Sequence, residues 1–259
     1  MIRNFFGLLM VLFLKMEENV IMNVNAGIRT IYNGEVRKNF GCSHFYQDSL
    51  TLEFEKMKLK VANLYCGKVR AWFQAMDLYD HGITEHTLRV TAISLELGRS
   101  MGFSLDELHY IQYGTLLHDI GKLGIPDEIL QKPDKLTVEE FQVVKKHPIY
   151  ANDWISNGDE FLPAKVIPLY HHEKWNGTGY PFGLKGTNIP LFARIVAVVD
   201  VWDAITSDRP YRRAMRKSKA MRLIQSEGGK QFDPDVVDAF IKLGVDKNFE
   251  ISYENVLID

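Results

Sequence analysis

The sequence predicts an all-α fold, and three observations support that prediction. Apolar residues recur three and four positions apart over Leu52–Met76, which is the spacing of an amphipathic helix. Ser104 and Thr137 are each followed three residues later by a glutamate, the pattern of a capping box. Strand-like alternation is scarce, and even the β-branched run Arg194–Val201 lies between helix-start signals. We therefore expect a helical bundle.

The order of the helices follows from their start and stop signals. After the Leu52–Met76 helix, Thr84 is the predicted N-cap of a helix that stops at Gly102. Ser104 opens the helix predicted to carry His118–Asp119. Thr137 opens a further helix that we expect to end near His147–Pro148.

The C-terminal half continues the helical pattern after one interruption. Residues 173–189 are rich in glycine and polar residues, and they predict a loop-rich insert. Pro190 suits the first turn of a helix over Leu191–Ile205. Asp233–Pro234 starts the last predicted helix, and Gly244 ends it.

These signals divide the chain into three parts. Residues 1–45 form a leader of unclear structure, 46–80 a helical N-terminal segment, and 81–259 the main domain. The apolar run Phe5–Leu14 is too short to cross a bilayer as a helix. It is similar to the core of a signal peptide, but no small-residue cleavage site follows it. An unstructured or mis-started leader is favoured over a membrane-surface anchor at residues 5–14 and over a signal sequence.

Composition excludes several classes of function. The chain has 259 residues, 46 % of them hydrophobic, which is enough to bury a sizeable core. A formal net charge of −2 argues against binding of bulk nucleic acid. The two cysteines, Cys42 and Cys66, form no metal-binding or disulfide pattern, and they suit a reducing cytoplasm.

Histidine and aspartate residues gather at a few positions along the chain. Of the eight histidines, His118 precedes an aspartate, His147 precedes a proline, and His171–His172 are adjacent. Asp200 lies in an apolar run, where an unpaired carboxylate would cost several kcal/mol. Helical bundles build metal centres by convergence of such residues. The spacing alone leaves a metal site and ordinary core or surface roles equally open.

A family resemblance favours the metal site. The segment HDIGK at His118–Lys122 is similar to the signature of the HD superfamily of metal-dependent phosphohydrolases. The segment HHEKWNGTGYP resembles the one that defines the HD-GYP branch, with Gly179, Tyr180 and Pro181 as the GYP motif itself. Further matches occur at IPDEIL, KPDKLT, HP, DVWDAITSDRPYR and QFDP, in the family order, over about 75–240. An HD-type helical bundle with a loop-rich GYP insert is implied.

The resemblance implies a centre with two divalent metal ions, Fe or Mn. Its implied ligands are His86, His118, Asp119, His147, His171, His172 and Asp200. Asp119 would bridge the metals, with His86, His118 and Asp200 on the first and the remaining histidines on the second. Some members hold a third metal through a glutamate four residues before the first histidine. That position is Gly82 here, so two metals are expected.

The resemblance also implies a reaction, in which a hydroxide that bridges the metals attacks the phosphorus of a phosphodiester. Asp119 and Lys122 are its predicted catalytic residues, Lys122 acting on the phosphate or the leaving oxygen. Arg209 and Arg212 are predicted to contact phosphate with Lys122, because guanidinium pairs well with phosphate. Asp203 is predicted to orient a ligand histidine. Metal binding needs neutral histidines, so activity should fall in mild acid.

The implied function is that of a cytoplasmic cyclic di-GMP phosphodiesterase, which would produce linear pGpG and, if the reaction continues, GMP. Cyclic GMP-AMP or another phosphoester is an alternative substrate. A protein that binds the nucleotide or a diguanylate cyclase without turnover is an alternative of another class. The Gly177–Gly186 loop, which contains the GYP motif, has two open roles: its glycines and proline shape an irregular loop beside the site, or, as the resemblance implies, the loop is a docking surface for diguanylate cyclase domains.

Overall fold

A computed structural model describes residues 67–79, 81–155, 163–208 and 213–245. The described helices are α1 (Gly67–Tyr79), α2 (His81–Ser100), α3 (Leu105–Leu116), α4 (Asp127–Leu130), α5 (Val138–Val144), α6 (His147–Ile155), α7 (Val166–Tyr170), α8 (Leu191–Thr206), α9 (Lys217–Ser226) and α10 (Pro234–Leu243). Short 3₁₀ helices occupy Ile120–Gly124 and Gly186–Asn188.

The prediction of an all-α fold is confirmed. The described segments contain no β-strand and only two isolated bridges, Asn176–Lys185 and Gly228–Phe232. Residues 173–189 hold no α-helix, as the predicted insert requires. None of the helices in these segments has the length and apolar character needed to span a bilayer. The leader, with residues 5–14, lies outside the described residues.

The predicted helix ends are largely confirmed by the contacts that fix them. The Ser104 and Thr137 side chains accept hydrogen bonds from the third residue of α3 and α5, and both capping boxes are complete. The Asp233 side chain caps α10. Gly102 and Gly244 adopt left-handed φ angles of 82° and 72° after α2 and α10, which glycine tolerates best.

Three predicted boundaries are wrong. Thr84 does not cap α2, which begins at His81 and leaves Thr84 fully buried within its first turns. The third helix ends at Leu116, because the chain tightens there into i to i+3 hydrogen bonds, and His118–Asp119 lie in the turn beyond it. The fifth ends at Val144, and His147 begins a separate helix.

Two hydrophobic clusters hold the helices together. The larger cluster joins α2, α3, α8, α9 and α10. The smaller one joins α1, α2, α6 and the Ile120–Gly124 helix. Helix α2 contributes to both clusters and packs against α8, so polar side chains of these two helices can meet between the apolar layers.

Candidate metal centre

The predicted ligands converge in the fold although they are up to 114 positions apart in sequence. They come from α2 (His86), the turn after α3 (His118, Asp119), the start of α6 (His147), the turn after α7 (His171, His172) and the middle of α8 (Asp200). Six of these form two groups whose potential ligand atoms lie within 4.8 Å of one another. The groups are His86, His118 and Asp119, and Asp119, His147, His171 and His172.

Asp119 belongs to both groups, and its two carboxylate oxygens face different partners. Oδ2 lies 3.3 Å from His118 Nε2, and Oδ1 lies 3.6 Å from His147 Nε2. The side chain is only 3 % exposed. A buried carboxylate between two groups of imidazoles could offer one oxygen to a metal ion held by each group.

Three histidines present a buried nitrogen that has no hydrogen-bond partner in the described parts of the chain. The Nδ1 atoms of His118, His147 and His171 lie 2.7 to 3.0 Å from the backbone carbonyl oxygens of Thr115, Val144 and Ile167, respectively. A carbonyl can only accept, so each Nδ1 carries the proton and each Nε2 keeps its lone pair. All three Nε2 atoms are buried, and none of them accepts a hydrogen bond from a described residue. Such atoms fit a bound metal ion.

His86 is held by a different network. Its Nδ1 lies 2.6 Å from Asp203 Oδ2, and its Nε2 lies 3.0 Å from Asp200 Oδ1. Arg89 donates to both oxygens of Asp203, at 2.6 and 3.0 Å. Asp203 therefore contacts the candidate ligand His86, as a residue that orients its imidazole ring would. Asp200 contacts His86 but belongs to neither group of converging ligand atoms.

Burial and neighbouring charges set the pKa values of these groups. Burial lowers the pKa of His147 to about 4 and that of His172 to about 3, so both imidazoles are neutral at pH 7. Burial also opposes ionisation of Asp119, but the Lys122 ammonium, 2.6 Å from its Oδ2, outweighs burial and holds the pKa of Asp119 well below the ordinary value. Hydrogen bonds to Asp200 and Asp203 overcome burial and raise the pKa of His86 to about 9.

Glycine at position 121 allows the two halves of the centre to approach. A Cβ atom there would lie 1.9 Å from the His147 carbonyl oxygen and 2.8 Å from the Ala151 nitrogen. The Ile120–Gly124 helix thus lies directly on the backbone of α6. This contact brings Asp119 beside His147.

The GYP segment is fixed by a buried glutamate that the sequence had not singled out. The Glu173 carboxylate accepts hydrogen bonds from the backbone N–H groups of Phe182, Gly183 and Leu184, at 2.7 to 3.1 Å. A Cβ atom at Gly179 would lie within 2.6 Å of the Glu173 backbone, so only glycine fits the close approach. The Tyr180 ring then stacks on His172, with centroids 4.7 Å apart.

The predicted substrate contacts divide into two sets. Lys122 donates to Asp119 Oδ2 at 2.6 Å and is about a quarter exposed, so its ammonium lies at the edge of the centre. Arg209 and Arg212 lie outside the described residues. Arg89, which contacts Asp203, was not predicted from the sequence although it follows His86 at the i+3 position on one helix face.

Residues 73–236 match the HD domain family. The chain belongs to the HD domain family. The match includes every predicted metal ligand. The buried His and Asp clusters of this HD domain are able to hold divalent metal ions.

Individual relatives agree with the family assignment and support the resemblance to the HD-GYP branch. The HD domain chain is 45 % identical to a cyclic di-GMP phosphodiesterase of Thermotoga maritima over 160 residues, 61 % of this chain and 44 % of the relative. It is 31 % identical to a 3'3'-cGAMP-specific phosphodiesterase of Vibrio cholerae over 201 residues, 76 % of this chain and 38 % of the relative. The chain spans less than half the length of these curated relatives.

A solved structure supports the fold. An HDG"Y"P protein from Bdellovibrio bacteriovorus superposes with a TM-score of 0.53 at 19 % identity, over 73 % of this chain and 61 % of that one. This likeness confirms the helical HD architecture.

The pKa values predict that the HD domain loses metal in two steps as the pH falls. A metal ion must displace the proton of His86, so affinity at the His86 group should decrease as the pH falls below about 9. His147 and His172 compete for protons only near pH 4 and pH 3, so their group should bind metal well below pH 6. We expect dialysis at pH 5.5 to retain about half of the metal present at pH 8.5. Loss of all metal in a single step would contradict the assignment of the two groups.

Proposed function

We propose that this HD domain is a metal-dependent phosphodiesterase that hydrolyses cyclic di-GMP to linear pGpG, with GMP as a further product. The observation that carries the proposal is the shared position of Asp119 between two groups of buried imidazoles. Two-metal sites with a shared carboxylate suit the hydrolysis of phosphate esters. The relative from Thermotoga maritima, named a cyclic di-GMP phosphodiesterase, supports the choice of substrate.

We assign the ligands to two metal positions. His86, His118 and Asp200 would hold one ion and His147, His171 and His172 the other, with Asp119 shared between them. Iron or manganese suits such a mixture of imidazole and carboxylate. When bound, the two ions would supply positive charge for the anionic phosphodiester and an ionised water at neutral pH.

The protein's own side chains prepare the centre for an anionic substrate. The low pKa of Asp119 keeps its carboxylate ionised across the physiological range. The neutral state of His147 and His172 keeps their nitrogens available as ligands at pH 7. Lys122, at the exposed edge of the centre, is placed to contact a phosphate oxygen or the leaving oxygen. Arg209 and Arg212 remain predicted phosphate contacts.

Orientation of His86 is the proposed role of Asp203. A carboxylate that binds the Nδ1 proton of a histidine fixes the ring and raises the basicity of Nε2. Arg89 in turn holds both oxygens of Asp203, so the carboxylate cannot rotate away. We propose Arg89 and Asp203 as positioning residues rather than ligands.

Cyclic GMP-AMP is the alternative substrate, and the similarity to the Vibrio cholerae enzyme of that name supports it at lower identity. Docking of diguanylate cyclase domains on the Gly177–Gly186 loop remains a further proposal, as does action in the cytoplasm. A nucleotide-binding protein without turnover is disfavoured, because every predicted ligand side chain is retained.

Product analysis tests the proposed function. Protein loaded anaerobically with Fe(II) or Mn(II) is incubated separately with cyclic di-GMP, cyclic GMP-AMP and cyclic di-AMP, and the products are separated by chromatography. We expect linear pGpG from cyclic di-GMP at the highest rate. Faster hydrolysis of cyclic GMP-AMP would replace the substrate assignment. Tight binding of cyclic di-GMP without a linear product would overturn the proposed activity.

A further inference from the structure

A row of aromatic rings leads from the metal centre to the protein surface. Tyr180 stacks on His172 with an interplanar angle of 29°. Phe141 on α5 meets Tyr180 edge-on, with ring centroids 6.4 Å apart. Phe141 is 43 % exposed, so its ring is the outer end of this row. The row therefore gives a ligand in solvent access to an aromatic face that is connected, through Tyr180, to a candidate metal ligand.

A lysine is associated with the same two rings. Lys145 Nζ lies 5.0 Å from the centroid of Phe141 and 5.5 Å from that of Tyr180. Among the described residues, no carboxylate oxygen lies within 4.0 Å of this ammonium group. The nearby Glu140 is engaged by Lys132 through both of its oxygens. Lys145 therefore retains hydrogen-bond donors for a ligand. We call Phe141, Lys145 and Tyr180 the aromatic platform.

Helix α5 ties the aromatic platform to the metal centre. The helix carries Phe141 and ends at Val144, whose carbonyl oxygen accepts a hydrogen bond from His147 Nδ1. Val138, one turn before Phe141 on the same face, is 72 % exposed and extends the apolar surface. The platform is thus held at a fixed position beside a candidate metal ligand.

We infer that the aromatic platform binds a guanine base of the substrate. Phe141 offers a face on which a base can stack, and such stacking tolerates partial exposure to solvent. Lys145 can donate to guanine O6 and N7, both of which accept hydrogen bonds. Adenine presents a donor amino group where guanine presents O6, so the lysine favours guanine. The inference deepens the proposed function, because it identifies residues that select the base.

The surroundings of the aromatic platform favour a nucleotide over a protein partner as its ligand. The platform adjoins His172 through Tyr180, so we expect a nucleotide whose base binds there to direct its phosphate towards the candidate metal centre. A purely apolar partner would leave the Lys145 ammonium without a hydrogen-bond acceptor, at a cost in free energy. A nucleotide can stack its base on the aromatic rings, accept hydrogen bonds from Lys145 and place its phosphate at the candidate metal centre.

Binding of GMP and of inorganic phosphate separates a role in base binding from a role at the metal centre. Both probes are titrated calorimetrically into metal-loaded wild type and Phe141→Ala protein. We expect the Kd of GMP to rise at least about fivefold, because a stacked base contributes on the order of 1 kcal/mol or more, while the Kd of phosphate stays unchanged. Leu223→Ala, at a residue of similar exposure (40 %) on α9, is the matched control and should change neither value.

A Lys145→Gln variant tests the choice of base. Wild type should bind GMP more tightly than AMP, and the substitution should remove most of that preference. Equal losses of phosphate and GMP affinity in Phe141→Ala, or an unchanged GMP affinity, would overturn the inference. These titrations need no turnover, so a failure of the platform is distinguishable from a failure to hydrolyse cyclic di-GMP.

Discussion

Replacement of Asp119 by asparagine should abolish turnover and reduce the metal content of the protein. The amide keeps the shape of the side chain but removes the charge that both imidazole groups share. It also leaves the Lys122 ammonium without its carboxylate partner. We expect kcat/KM to fall by at least about 10³-fold, since metal ions contribute several kcal/mol to stabilisation of the transition state. Steady-state kinetics and elemental analysis of the same preparation measure both effects.

Asp238→Asn is the matched control for this substitution. Asp238 is an exposed residue of α10, and it undergoes the same loss of charge. Its kinetics and metal content should equal those of wild type. Full metal occupancy with normal rates in Asp119→Asn would reject the shared-ligand assignment.

Replacement of Gly121 by alanine should have the second largest effect, through the packing of the backbone. The added methyl group would lie 1.9 Å from the His147 carbonyl oxygen, so the Ile120–Gly124 helix must move away from α6. Overpacking against backbone should lower the free energy of unfolding by about 3 kcal/mol. Asp119 and His147 would separate, and a misplacement of 1 Å should lower kcat by about 10²-fold. Thermal unfolding and kinetics measure the two effects.

Gly228→Ala provides the comparison for Gly121→Ala. The nearest atom to a Cβ at Gly228 is the Gln225 carbonyl oxygen at 3.3 Å, which needs only a small adjustment. We expect a change in unfolding free energy of less than about 1 kcal/mol. If Gly121→Ala changed the unfolding free energy and kcat as little as Gly228→Ala, the close contact between the Ile120–Gly124 helix and α6 would not be required for stability or activity.

Much of the fold follows from local signals in the sequence. The two capping boxes at Ser104 and Thr137, and the glycines at 102 and 244, act within one helical turn, so a short segment suffices to predict them. The end of α3 was not predictable in this way. The tightening of the chain before His118–Asp119 accompanies its packing against α6, which lies almost 30 positions further along.

The candidate site was predictable in its residue types but not in its contacts. The resemblance identified Asp119 and the histidines by motif. The resemblance could not identify the backbone carbonyl groups that set the tautomers of His118 and His147. The positions of these carbonyl groups depend on where the preceding helices end. The pairing of Arg89 with Asp203 joins residues 114 positions apart, and only the packing of α2 on α8 brings them together. Glu173 follows His171 and His172 directly in the sequence. Its role in holding the GYP segment could not be predicted, because it depends on the path of the backbone at Phe182.

The most direct test of the two-metal centre is the metal stoichiometry of anaerobically purified protein, measured by elemental analysis. Two buried groups of ligands that share Asp119 predict close to two transition-metal ions per chain at pH 8.5. Protein that is folded by circular dichroism yet binds no iron, manganese or related ion after reconstitution would contradict the account.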